Sequence, residues 1–139
     1  LIILTNTPNK VYVELKSKSK NNIEWKLCIS REETLELFSN AKCFLFPPEE
    51  DFWLVPVEAM ACWTPVIAYN KWWATETVID WKTWIFFDEQ TLEKLNEAIS
   101  KFEKIKFDHK KIREHSEKFS KQNFHKELLS FIEGKYEEI

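Results

Sequence analysis

The sequence predicts an α/β fold: a doubly wound parallel sheet followed by C-terminal helices. Two observations carry that expectation. Short apolar runs alternate with helix-length segments through Phe87. Beyond that point helical patterns continue with no further strand. Parallel neighbours need a crossover helix rather than a tight hairpin, which decides ambiguous segments in favour of helix. In such sheets ligands bind beyond the carboxyl ends of the strands.

Leu1 to Leu4 reads as a buried strand, with Thr5-Asn-Thr-Pro8 turning after it. Val11, Val13 and Leu15 alternate like a strand but fill the place of a crossover, so they read as helix. Lys16, Lys18 and Lys20 read as its solvated end rather than a lipid contact. Ile23 to Leu27 is the next strand. Ser30-Arg-Glu-Glu33 has the pattern of a capping box, opening a helix through Ala41 with Leu35 and Phe38 inward.

The segment from Phe46 to Ala68 organises the chain. The strand Cys43 to Phe46 stops at Pro47-Pro48. Glu49, Glu50 and Asp51 form an acidic loop. A helix opens near Leu54, with Pro56 in its first turn, where a missing N–H costs nothing. It passes Glu58 and Met60, and Pro65 begins the strand Val66 to Tyr69. The N–H groups of Trp53, Leu54 and Val55 thus face out of a helix N-terminus, an anion site whose usual guest is phosphate. Glu58 shares a face with Leu54, set back by ~6 Å of helical rise. A carboxylate there avoids the phosphate charge and can accept hydrogen bonds from a sugar diol. Glu50 lies on the far side of the phosphate position. The layout suits a nucleotide-diphosphate sugar, although spacing alone favours two solvated carboxylates.

Asn70-Lys-Trp-Trp73 reads as a loop, and Ala74 to Ile79 as a short helix with Glu76 a structural carboxylate. Ile85 to Phe87 is the last strand. Thr91 to Phe102 is amphipathic, with Leu92, Leu95, Ile99 and Phe102 at helical spacing. Asp108 caps a helix carrying Ile112. Ser120 caps the terminal helix, whose apolar face holds Phe124, Leu128 and Phe131.

With 139 residues, 44% hydrophobic and 31% charged, the chain reads as one domain over 1–139. It opens inside an apolar run, so its true N-terminus is expected upstream. A net charge of −3 gives no case for nucleic acid. No apolar run approaches the ~20 residues of a membrane span. Cys28, Cys43 and Cys62 are odd in number and lack ligand spacing, which indicates a reducing compartment and no metal. His109, His115 and His125 read as solvated helix histidines.

The segment from Glu50 to Ala68, with its two glutamates seven residues apart, resembles the Glu-x7-Glu segment of retaining, two-domain (GT-B) glycosyltransferases of family 4. The resemblance continues through Asn70 to Val78 and Asp80 to Phe87. Six of the seven tryptophans, at 53, 63, 72, 73, 81 and 84, stand where that family has glycine, and the chain keeps a single glycine. Two explanations remain open: true substitution, or a gene that uses UGA for glycine and was translated with UGA as tryptophan. Trp25 occupies an aromatic position of the family pattern.

The resemblance implies the Rossmann-like, donor-binding half of a GT-B enzyme, with the acceptor domain upstream. Its donor would be a GDP- or UDP-hexose, GDP-mannose first, and its acceptor a glycan or a lipid-linked sugar. Glu50 would be the catalytic-site carboxylate holding donor-sugar hydroxyls. Backbone amides of Phe52, Trp53, Leu54 and Val55 would bind the sugar and diphosphate, and Glu58 the ribose. Leu27, Cys28 and Ile29 would hold the base or form an ordinary βα turn. No cofactor or metal is expected, because the helix terminus and upstream basic residues neutralise the diphosphate. The last helix would cross back onto the upstream domain, which would also carry peripheral contact with the inner membrane face of a cytoplasmic protein. The alternative is a degenerate, non-catalytic glycosyltransferase-like module, with the indole of Trp53 filling the phosphate space. An unrelated nucleotide binder is weaker, because no Gly-x-Gly-x-x-Gly turn follows the first strand.

Overall fold

The computed structural model describes residues 1–49, 54–70 and 84–136. Its contacts divide into two compact units, Leu1–Leu37 and Phe38–Ile139. The strands of both are parallel, and three helices follow the last strand, as an α/β fold of the expected class requires.

The first unit pairs β1 (Ile2–Thr5) with β2 (Glu24–Leu27), in register from Ile2 opposite Glu24 to Thr5 opposite Leu27. The crossover is α1 (Lys10–Lys18), so the alternating segment is helical. Asn9 starts it by accepting the Tyr12 N–H at 2.9 Å. Trp25 ties β2 to this helix. Its indole N–H donates to the Ser19 hydroxyl at 2.8 Å, and its ring meets Tyr12 edge-on at 5.4 Å. Val11, Val13 and Leu15 are all exposed, because spacing by two spreads them around a helix instead of along one face. The expectation of a buried first strand is corrected: Leu1, Ile2 and Leu4 are exposed. A two-stranded sheet with one short crossover offers too little apolar surface to enclose them.

Helix α2 (Arg31–Asn40) opens on a complete capping box. The Ser30 hydroxyl accepts the Glu33 N–H at 3.1 Å, and the Glu33 carboxylate accepts the Ser30 N–H at 3.0 Å. The division between the units falls within this helix. Its buried residue is Phe38, packed edge-on against Phe44 at 5.0 Å.

In the second unit β3 (Phe44–Phe46), β4 (Val66–Tyr69) and β5 (Trp84–Phe87) form a parallel sheet in that order. Helix α3 (Leu54–Ala61) is the crossover from β3 to β4, and Pro56 lies buried in its first turn. The core gathers Ile67, Ile85, Phe87 and Ala98, with Leu95, Ile99 and Phe102 packed on it from α4 (Leu92–Phe102). Thr91 caps α4 by accepting the Lys94 N–H at 3.3 Å. Leu92 was expected on the packed face but is 75% exposed, since it stands at the first helical position, ahead of the sheet contact.

Helix α5 (His109–Glu117) follows its Asp108 cap and places Ile112 fully inside. His115 corrects the reading of solvated histidines. It is 6% exposed, because it lies three residues from Ile112 on the same inward face. Helix α6 (Lys121–Tyr136) starts where Ser120 accepts the Asn123 N–H at 3.3 Å, and Phe124, Leu128 and Phe131 are exposed along it. Among the described residues no helix is long and apolar enough to cross a membrane.

Candidate functional site

Because β3, β4 and β5 are parallel, their carboxyl ends share one edge of the sheet, the edge at which α/β folds bind ligands. The strands end at Phe46, Tyr69 and Phe87. Beyond the ladder, the Asn70 N–H donates to the Phe87 carbonyl at 2.8 Å. The Gln90 side-chain amide donates to the Pro47 carbonyl at 2.9 Å. Helix α3 leaves from this edge, since it carries the chain from the end of β3 back to the start of β4.

Leu54 and Val55 are the first residues of α3, and both are exposed. Their N–H groups are among the four that an α-helix leaves without an internal acceptor. No acidic side chain lies in the first turn, so the partial positive charge of the helix end meets no carboxylate from its own first turn. Glu58 is half-buried one turn further on, about 6 Å along the axis from Leu54. Helix, proline and glutamate therefore stand in the order the sequence implied. Glu50, Phe52 and Trp53 lie outside the described residues, as do Glu76, the helix expected over 74–79 and Trp72, Trp73 and Trp81.

The other predicted loop belongs to the first unit. Leu27 ends β2 with its side chain exposed, and Ile29 is half-buried just before the Ser30 cap. Between them Cys28 turns the chain at φ 50°, in the left-handed region. Its N–H donates to the Thr5 carbonyl at 3.0 Å and its thiol to the Asn6 carbonyl at 3.3 Å. Residue type gave no hint of this turn, because cysteine is not among the residues that favour left-handed backbone. Gln90 likewise carries no sequence signal, since its partner is 43 residues away.

A profile of the glycosyl transferases group 1 family matches residues 8–124, spanning both units. The chain belongs to that family. The group 1 (GT4) chain is also similar to the alpha-1,3/1,6-mannosyltransferase ALG2 of Dictyostelium discoideum, 37% identical over 76 residues. That match takes in 50% of this chain and 18% of the relative, so the chain spans well under two thirds of the relative's length. A group 1 domain implies binding of a nucleotide-sugar donor.

Two of the six tryptophans for which the resemblance implies glycine are described, and they differ. Trp63 has φ 68° and follows the last turn of α3. Its N–H donates to the Met60 carbonyl at 2.9 Å, and the Thr64 N–H reaches back to Ala59 at 3.1 Å. These two bonds define a Schellman cap, whose left-handed residue is usually glycine. Trp84 was expected to disturb a turn. Instead it is the first residue of β5, opposite Val66, 2% exposed and stacked on Phe86. The strand begins one residue earlier than the apolar run suggested, which turns this position toward the core.

Proposed function

We propose that this group 1 domain is the donor-binding part of a retaining hexosyltransferase. The observation that carries the reading is the N-terminus of α3. It lies at the carboxyl edge of a parallel sheet, holds no acid in its first turn and has Glu58 one turn behind it. The diphosphate of a GDP- or UDP-hexose accepts hydrogen bonds from the first-turn amides, those of Leu54 and Val55 together with the preceding Phe52 and Trp53. Glu58 accepts from the ribose hydroxyls. Glu50 holds hydroxyls of the transferred sugar and orients its anomeric carbon. In the first unit, taken by itself, the turn Leu27-Cys28-Ile29 is proposed as a base-contacting surface. As charge builds on the departing diphosphate, the helix terminus stabilises it, which is where fixed dipoles contribute most to rate. The similarity to an alpha-1,3/1,6-mannosyltransferase supports mannose as the transferred sugar. GDP-mannose as the donor, a glycan or lipid-linked sugar as the acceptor and a place in the cytoplasm complete the proposal.

The test uses the full-length protein, made with tryptophan and with glycine at positions 53, 63, 72, 73, 81 and 84. Calorimetry with GDP and UDP, then transfer from GDP-mannose or a UDP-hexose with the product anomer read by NMR, gives the answer. Nucleotide binding with retained anomeric configuration is expected of the glycine form, and weaker binding of the tryptophan form. No nucleotide binding by either form would turn the reading into the degenerate, non-catalytic module.

A further inference from the structure

Helix α3 has eight residues, about two turns, so its last turn is a large part of it. The carbonyls of Glu58, Ala59 and Met60 are met by N–H groups of the cap. Cys62 donates to Glu58 at 3.2 Å, Thr64 to Ala59 at 3.1 Å and Trp63 to Met60 at 2.9 Å. The next carbonyl, that of Ala61, takes its donor from another helix: the guanidinium of Arg113 on α5. His109, four residues earlier and so on the same face of α5, donates to the Trp63 carbonyl at 2.8 Å. Glu117, one turn later on that face, pairs with the Arg113 Nε at 3.7 Å. The helix that carries this stripe is fixed by Ile112, which is fully buried. A cation at the end of α3 also opposes the partial negative charge of a helix C-terminus.

We infer that Arg113 is a positioning residue for the nucleotide. Glu58 opens the turn that Arg113 closes, because its own carbonyl accepts the Cys62 N–H next to Ala61. By holding that turn, Arg113 sets the direction of the Glu58 carboxylate toward the ribose. In a helix this short a frayed last turn leaves little regular backbone to keep Glu58 in place. The consequence for nucleotide affinity depends on the transferase reading, whereas the anchoring of α3 does not.

Arg113→Met keeps an apolar stem and removes the donor, and Arg113→Lys returns a charged donor. Both are made in the full-length protein, in whichever of the tryptophan and glycine forms binds nucleotide more tightly. In hydrogen exchange, amides of residues 62–64 should exchange at least about threefold faster in Arg113→Met, with β4 unchanged. In calorimetry with GDP and UDP, Arg113→Met should bind about fivefold more weakly than the parent. Arg113→Lys should recover most of both losses. In a Glu58→Ala background, Arg113→Met should change affinity by less than about twofold, because residues that act as a unit do not add. A loss of the same size without Glu58 overturns the inference, since it would make Arg113 a general prop of the helix. So does unchanged affinity in Arg113→Met, or unchanged exchange at 62–64. A parent protein that binds neither nucleotide defeats the transferase reading instead, and the exchange measurement still decides the anchoring.

Discussion

The ring of His109 donates from Nδ1 to the backbone carbonyl of Trp63, 2.8 Å away. Arg113 donates to the carbonyl of Ala61 beside it, so two side chains of α5 close the end of α3. Every bond made by residue 63 in this cap uses its backbone, and its half-exposed indole makes none of them. Trp63→Gly should therefore keep the cap and relieve the left-handed strain. We expect a net gain of roughly 0.5–1 kcal/mol, because a Cβ in that region costs about 1–2 kcal/mol and glycine's unfolded-state entropy takes part of it back. Trp63→Ala retains the Cβ and should gain nothing. Urea midpoints of the three proteins check this, and a loss of stability in Trp63→Gly would show that the indole packs more than it strains.

Glu58→Ala should weaken nucleoside diphosphate binding by roughly 1.5–3 kcal/mol, the worth of hydrogen bonds to a charged acceptor. Glu50→Gln should leave that affinity close to the parent and lower turnover, because its partner is the sugar and not the nucleotide. Calorimetry with the nucleoside diphosphate and steady-state kinetics separate the two. Unchanged affinity in Glu58→Ala removes that residue from the ribose.

The capping box before α2 should show in the acid limb of stability. The Glu32 carboxyl is held below its usual range by the backbone N–H at the helix start, then by the Ser30 hydroxyl. A carboxyl lowered on folding stabilises the native state above its unfolded pKa, and that contribution disappears as pH falls through the folded value. Ser30→Ala should cost about 1 kcal/mol near neutrality through loss of the cap. It should also lose less than the parent on acidification, since Glu32 moves back toward its ordinary value. Chemical denaturation at a series of pH values reads both effects, and parallel acid limbs would deny Ser30 any hold on Glu32.

Two of the three thiols should react in a fixed order. Cys28 is exposed in its turn, whereas Cys43 is partly buried beside β3 and burial pushes its thiol above the usual range. Alkylation depends on the thiolate, so Cys28 should label first and Cys43 much later at mildly alkaline pH. Mass spectrometry of timed samples gives the order. Equal rates would mean that the packing around Cys43 opens on the timescale of labelling.

What was legible in the sequence was local. The Ser30–Glu33 box, the Asp108 and Ser120 caps, the place of Pro56 and the stop at Pro47-Pro48 each depend on residues within one turn of each other. Their hydrogen bonds and steric limits exist before any tertiary contact. The order of strand and helix followed from the same short-range rules, and so did the setting of Leu54, Val55 and Glu58 on α3.

Only the tertiary structure decided what depends on residues far apart in the chain. His115 is buried because α5 turns that face inward with Ile112, and Leu92 is exposed because α4 begins before it reaches the sheet. Trp84 enters the core through pairing with Val66, and Gln90 meets Pro47 because both stand at one edge of a parallel sheet. The left-handed turns at Cys28 and Trp63 were fixed by the strand and helix ends they close, not by the preferences of cysteine or tryptophan. Residue identity sets local bonding within a few positions. Burial and long-range hydrogen bonds are set by which surfaces the packed elements bring together, and no local pattern encodes that.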